Sequence, residues 1–151
     1  MRSVSQRRSD VLRRLEADAN VWIATASSDG LPHLVPLSLA WDGERVLVAT
    51  PADTPTARNA ATTGRLRASL DSADDVVIID ADAEVVDFAT APADLVECYV
   101  GRVGWNPADE PGDWALLIAS PRTIRAWNSV GEITGRTIMR NGEWSEDPET
   151  G

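Results

Sequence analysis

The sequence predicts a mainly β domain: a small antiparallel barrel of short strands with a few helices. Three observations lead there. Apolar and polar residues alternate over short runs bounded by turn residues, the pattern of half-buried strands. Only three stretches carry helical spacing or a helix start signal. The length of 151 residues suits one core. With 43% hydrophobic and 25% charged residues, the composition excludes a disordered or fibrous chain.

Residues 6–19 read as a helix, with Val11, Leu12, Leu15 and Ala19 on one face and arginines opposite. Residues 21–27 read as a strand, ended by the Ser28-Asp29-Gly30 turn and the return at Pro32. A second strand covers 34–41, where Val35, Leu37 and Leu39 alternate with Pro36, Ser38 and Ala40. Asp42-Gly43 is a hairpin turn into a third strand over 45–50. Thr54 is a suitable N-cap with Pro55 at the first helical position, so a helix is expected over 55–63, stopped by Gly64. Strands over 66–70 and 76–88 follow. In the latter, Asp80, Asp82 and Glu84 share one face and Ala81, Ala83 and Val85 the other. Pro92 leads into a helix over 93–103, and a Pro/Gly loop covers 105–112. Residues 114–127 form a long apolar strand interrupted at Ser120-Pro121, which implies a bulge or an edge. Asn141-Gly142 centres a last hairpin over 136–144. The expected organisation is an N-terminal helix (1–19), the barrel (20–145) and a disordered acidic tail (146–151).

Absences exclude whole function classes. All 14 basic residues are arginine, so a P-loop lysine and Schiff-base chemistry are excluded. A single histidine, His33, excludes a multi-histidine zinc site, and no metal is expected. A single cysteine, Cys98, excludes an intramolecular disulfide and argues for a cytoplasmic location; an inert, partly buried thiol is the expectation there. No apolar run follows the Arg-rich N-terminus, so no secretory signal is expected. No run approaches the ~18 residues of a membrane span. A net charge of −10 argues against a nucleic-acid or anionic membrane partner. The charge is uneven, however: residues 71–97 hold nine acids and no arginine, while 54–70 and 115–142 are basic islands suited to an anionic ligand.

The start of the second helix is the best constellation for chemistry. The first N–H groups of a helix lack internal partners and, with the helix dipole, bind phosphate. The donors here would be Thr56, Ala57 and Arg58, with the Arg58 guanidinium and the Thr54 and Thr56 hydroxyls beside them. His33 reads first as a turn-edge histidine with a satisfied hydrogen bond, with a proton donor near a pocket as the alternative. Asp80, Asp82 and Glu84 read as a solvated strand face, with a hard cation or a basic partner surface as alternatives. Six tryptophans beside one Phe and one Tyr supply packing or flat stacking surfaces. Trp127 stands out, flanked by Arg122, Arg125 and Arg136.

The segments VWIATASSDGLPHLVPLSLAWDGERVLVAT, TPTARNAATTGRLRASL and DVVIIDADAEVV resemble the pyridoxamine 5′-phosphate oxidase-like family of flavin and deazaflavin split barrels. The ending PRTIRAWNSVGEITGRTIMRNGEW resembles that family's last strand and hairpin. The resemblance implies a six-stranded antiparallel split barrel, a homodimer with cofactor sites at its interface, and a small-molecule substrate. It implies that His33, Leu34, Val35, Pro36 and Ser38 run along a flavin ring. It implies that Ala49, Thr50, Thr56, Ala57, Arg58 and Asn59 hold the ribityl chain and phosphate. Trp127, Arg136 and Arg140 would come from the other chain. The cofactor implied is FMN, with coenzyme F420 as the alternative; the arginines at 7, 8, 13 and 14 would serve the acidic F420 tail.

This chain departs from the oxidase pattern at three places. Threonine and serine stand at Thr56 and Ser38 where the pattern carries lysine, and Ile138 replaces a histidine between Arg136 and Arg140. The departures argue against a true pyridoxamine phosphate oxidase. The expected function is hydride transfer to a small organic molecule. The alternatives are a non-catalytic flavin- or haem-type binder and a ligand-free dimeric interaction module.

Overall fold

The alternation read from the sequence forms one curled, open antiparallel sheet. The computed structural model describes residues 1–149 and contains nine strands and three α-helices among them. The order is α1 (Val4–Ala17), β1 (Asn20–Ala26), β2 (Pro32–Ser38), β3 (Ala40–Trp41), β4 (Val46–Pro51), α2 (Pro55–Thr63), β5 (Arg65–Leu70), β6 (Val76–Asp87), α3 (Ala93–Val103), β7 (Trp114–Trp127), β8 (Thr137–Arg140) and β9 (Glu143–Trp144). The sheet runs β2-β1-β5-β6-β7-β4-β3, with β8 and β9 continuing from β7.

The strand count corrects the six expected. The predicted 34–41 strand breaks at Leu39, whose side chain turns into the core and whose N–H donates to Ala19 O at 2.9 Å. Ala40 and Trp41 then pair with β4 instead of β1. The last hairpin adds two short strands, with Asn141 (φ 52°) and Gly142 (φ 77°) making its turn. Both α2 and α3 span the residues predicted. In α1, Ser3 caps the Gln6 N–H and moves the helix two residues earlier, so Ala19 lies beyond its end. The interruption in β7 is a bulge: Asp80 faces Thr123 and Ala81 faces Pro121, leaving Arg122 without an opposite number.

Two cores share the β4–β7 part of the sheet. Val46, Val48, Ala115 and Leu117 face the barrel interior with Val11 and Leu15 of α1 and Ala57 and Ala60 of α2. Leu47, Ala49, Leu116 and Ile118 point to the other side, where Leu95 and Tyr99 of α3 cover them. Burial on both faces explains why β4 reads as an unbroken apolar run.

The chain ends are tied down. Glu132, 1% exposed, accepts hydrogen bonds from the Arg2 guanidinium (2.8 Å), the Arg2 N–H (2.8 Å) and the Asn128 N–H (2.8 Å). Arg7, also buried, donates to Ala126 O and Gly135 O. Residue Asp147 lies over the start of α1. The Asp147 carboxylate accepts from the Val4 N–H (2.7 Å) and the Ser5 N–H (3.2 Å), filling donors that a helix start leaves open. Thr150 and Gly151 lie outside the described residues.

Candidate functional site

β2, at one end of the sheet path, passes close to β4 without pairing with it, and the seam between them is a groove of about 450 Å³. Pro36, Leu37 and Ser38 form one wall and Ala49, Thr50 and Pro51 the other. Tyr99, Trp105 and Trp114 close its inner end, while Asn20, Trp22 and Asp71 line the β1 side. The backbone of β4 is open here. Asp42 N–H donates to Arg45 O, so ladder alternation points the polar groups of Leu47 and Ala49 to the same side. Ala40 of β3 lies opposite Leu47, and β3 does not reach Ala49.

The inner wall is a chain of edge-to-face rings. Centroids are 6.0 Å apart for Phe88–Tyr99, 6.1 Å for Tyr99–Trp105 and 5.3 Å for Trp105–Trp114. Tyr99 is 0% exposed and its hydroxyl has no hydrogen-bond partner. Burial pushes it up to about 12; the Ala49 N–H beside it acts the other way without meeting hydrogen-bond geometry. The hydroxyl is therefore a proton donor in hydrogen bonds, not a base.

The α2 start lies next to this groove and shares Thr50 with it. Thr50 Oγ1 is 3.1 Å from Thr54 Oγ1, which also donates to Pro51 O (2.9 Å) and accepts the Ala57 N–H (3.3 Å). The Arg58 N–H is spent on Thr54 O at 3.0 Å. Of the three donors expected to be free, Ala57 and Arg58 are thus engaged, because the N-cap and the first helical turn use them. Thr56 is buried, and the exposed Arg58 guanidinium folds back onto Asp53 O (2.7 Å). Asn59 donates to Thr25 Oγ1 (3.2 Å), and Thr25 sits opposite the half-buried His33 in the β1–β2 ladder.

The structure therefore brings Pro36, Ser38, Ala49 and Thr50 together. His33 and Val35 point to the other face of β2, while Leu34, 60% exposed, points outward with Pro36. Trp127 lies at the far end of β7, with the exposed Arg136 guanidinium 5.7 Å from its ring centre, and Arg140 is exposed on β8. Neither Trp127 nor these arginines line the groove of their own chain. Of the N-terminal arginines, Arg7 is buried and holds carbonyls and Arg14 pairs with Asp18 and Asp75, while Arg8, stacked on Trp144, and Arg13, paired with Asp10, are exposed. On the acidic face of β6, Asp80 pairs with Arg67 and Arg125 and the exposed Asp82 lies 3.6 Å from Arg122, while Glu84 is exposed to solvent. Among the described residues, no three His, Cys, Asp or Glu side chains gather to hold a metal. Cys98 is partly buried and its thiol is pushed up by burial, in keeping with an inert thiol.

Sequence reasoning missed Tyr99, Asn20 and Asp71 as groove residues. The available signal was the Leu95–Tyr99 spacing, which places the chain's single tyrosine on the apolar face of α3.

The family model described as pyridoxamine 5′-phosphate oxidase matches residues 10–128. The chain belongs to that family. Structures similar to it include a candidate pyridoxamine 5′-phosphate oxidase from Listeria innocua. That likeness has a TM-score of 0.66 and 16% identity, covering 80% of this chain and 98% of that one. An F420 reductase gives 0.60 at 19% identity, with 74% and 93% covered. A heme binding protein from Mycobacterium smegmatis gives 0.67 at 16% identity, with 94% and 59% covered. No curated protein sequence matches the chain. At these identities the likenesses establish the family's fold. No α-helix among the described residues is long and apolar enough to cross a membrane.

Proposed function

We propose that this member of the family is a homodimeric oxidoreductase. It binds FMN, with F420 as the alternative cofactor, in the β2–β4 seam and passes hydride to a small organic molecule. The observation that carries the reading is the groove itself: a slot with an indole wall, an open β4 edge at Ala49 and a buried hydroxyl at its end. These features fit a flat polar ring. The neighbouring α2 start offers the exposed Arg58 guanidinium to a phosphate once it leaves Asp53 O. Its thinness, without the lysines of the oxidase pattern at Thr56 and Ser38, supports a role other than pyridoxamine phosphate oxidation.

When bound, the cofactor supplies the hydride chemistry. The chain's own residues do the rest. Ser38 and Thr50 place hydroxyls beside the ring, Ala49 offers backbone edge groups, and Trp105 and Trp114 exclude water from the inner end. The dimer reading draws support from Leu31 (70% exposed), Leu34 and Trp22, an apolar outer face at the β1–β2 edge. Trp127 and Arg136 of a second copy would complete the site. FMN is preferred over F420 because it needs only a phosphate site and no further basic groove for an acidic tail.

The test is fluorescence titration of purified protein with FMN and with F420. Saturable micromolar binding of FMN with tryptophan quenching is the expected result, weakened by Arg58→Ala. Binding of F420 alone moves the cofactor assignment, and binding of neither removes the reading. The likeness to a heme binding protein over 94% of this chain favours, as second reading, a binder without turnover. That reading expects tight binding and no reoxidation by any acceptor tested.

A further inference from the structure

The groove contains one buried polar group without a hydrogen-bond partner among the described residues, the Tyr99 hydroxyl. Folded proteins rarely bury a hydroxyl without a partner, since its lost hydration is not recovered. Phenylalanine would fill the same volume without that penalty, and Phe88 does so one ring away at 6.0 Å. The hydroxyl lies beside the Ala49 N–H, and Ala49 and Tyr99 both line the groove. Trp105 packs beside the Tyr99 ring and Trp114 beside Trp105, and both indoles line the groove. No arginine or histidine lines the groove, and its one carboxylate, Asp71, accepts from the Trp22 indole at 3.3 Å. The lining therefore suits an uncharged guest with a flat ring and an acceptor oxygen.

We propose that Tyr99 is the buried hydrogen-bond donor at the inner end of the seam groove, holding the carbonyl oxygen of a neutral aromatic substrate that lies against Trp105 and Trp114, beyond the stretch between Ser38 and Thr50 that the cofactor ring would occupy. This deepens the proposed function and rests on its reading of the groove as a ring-binding site. Tyr99 is a positioning residue here. It stays protonated throughout and donates one hydrogen bond. A site built around such a donor discriminates strongly against a guest without the oxygen, because the hydroxyl is then left unpaired again.

The test uses 1-indanone and indane, two probes that differ only in the carbonyl. Calorimetric titration of the wild type should show indanone binding about fivefold or more tighter than indane. Tyr99→Phe should remove that preference while keeping the thermal midpoint of the free protein at or above the wild-type value. The infrared carbonyl stretch of bound indanone should fall below its value in hexane in the wild type and return towards it in Tyr99→Phe. The wild-type spectrum reads the hydrogen bond even if the variant does not fold. Equal affinities for the two probes in the wild type, no binding of indanone, or an unshifted carbonyl stretch overturns the proposal. FMN and F420 are titrated in parallel. Binding of neither, with indanone preference intact, sinks the cofactor reading and leaves Tyr99 in place; cofactor binding without indanone preference does the reverse.

Discussion

Glu132 shows how much one residue can hold. Its carboxyl is pushed down to about 2, first by the Arg2 hydrogen bonds, with burial acting against them and the Asn128 and Arg2 N–H groups adding to them. Arg2 is raised in turn, chiefly by the same bond. The ordinary carboxyl value is 4.5, which the group regains on unfolding. The clamp's contribution is therefore complete above about pH 4.5 and is lost as pH falls towards 2. Glu132→Gln should cost about 3–5 kcal/mol at neutral pH, as expected for breaking a buried pair. Urea unfolding at pH 7 and pH 3 checks this: the difference between variant and wild type should shrink at the lower pH.

Elements were legible where a local signal dictated them, and sites were not. Thr54, Pro55 and Gly64 punctuate α2 by themselves, and the helix spans the residues they mark. Pro121 marked the bulge, because a proline cannot donate to the ladder. The break at Leu39 was hidden, since apolar alternation continues through it while the hydrogen-bond partner changes from β1 to β4. The groove was half legible. The family likeness pointed to Ser38 and Thr50, but Tyr99 and Asp71 reach it through contacts distant in sequence. The availability of the α2 donors was also hidden, because it depends on where the Thr54 hydroxyl points. Two predictions belong at this scale. Thr54→Ala should cost about 1 kcal/mol in urea unfolding, since it uncaps the Ala57 N–H. Gly142→Ala should destabilise the last hairpin by about 1–2 kcal/mol. Its φ is positive, and an added Cβ would sit 3.1 Å from Arg122 Nη1; the same unfolding experiment reads it.

At the scale of the whole molecule, the open seam and the exposed apolar edge of β1–β2 point the same way. A sheet end that neither closes nor carries charge invites another surface. Sedimentation should give a species of twice the 16.3 kDa chain mass, and Leu34→Glu should halve it. If FMN binding falls with the dimer, the cofactor site needs both copies; if it survives in the monomer, Trp127 and Arg136 have no part in it. The Asp147 bonds to Val4 and Ser5 have a separate consequence: the start of α1 and the segment around Asp147 lie side by side. A short peptide joining them would span little distance, so the polypeptide could be reopened at the Asp42-Gly43 turn and fold as a circular permutant.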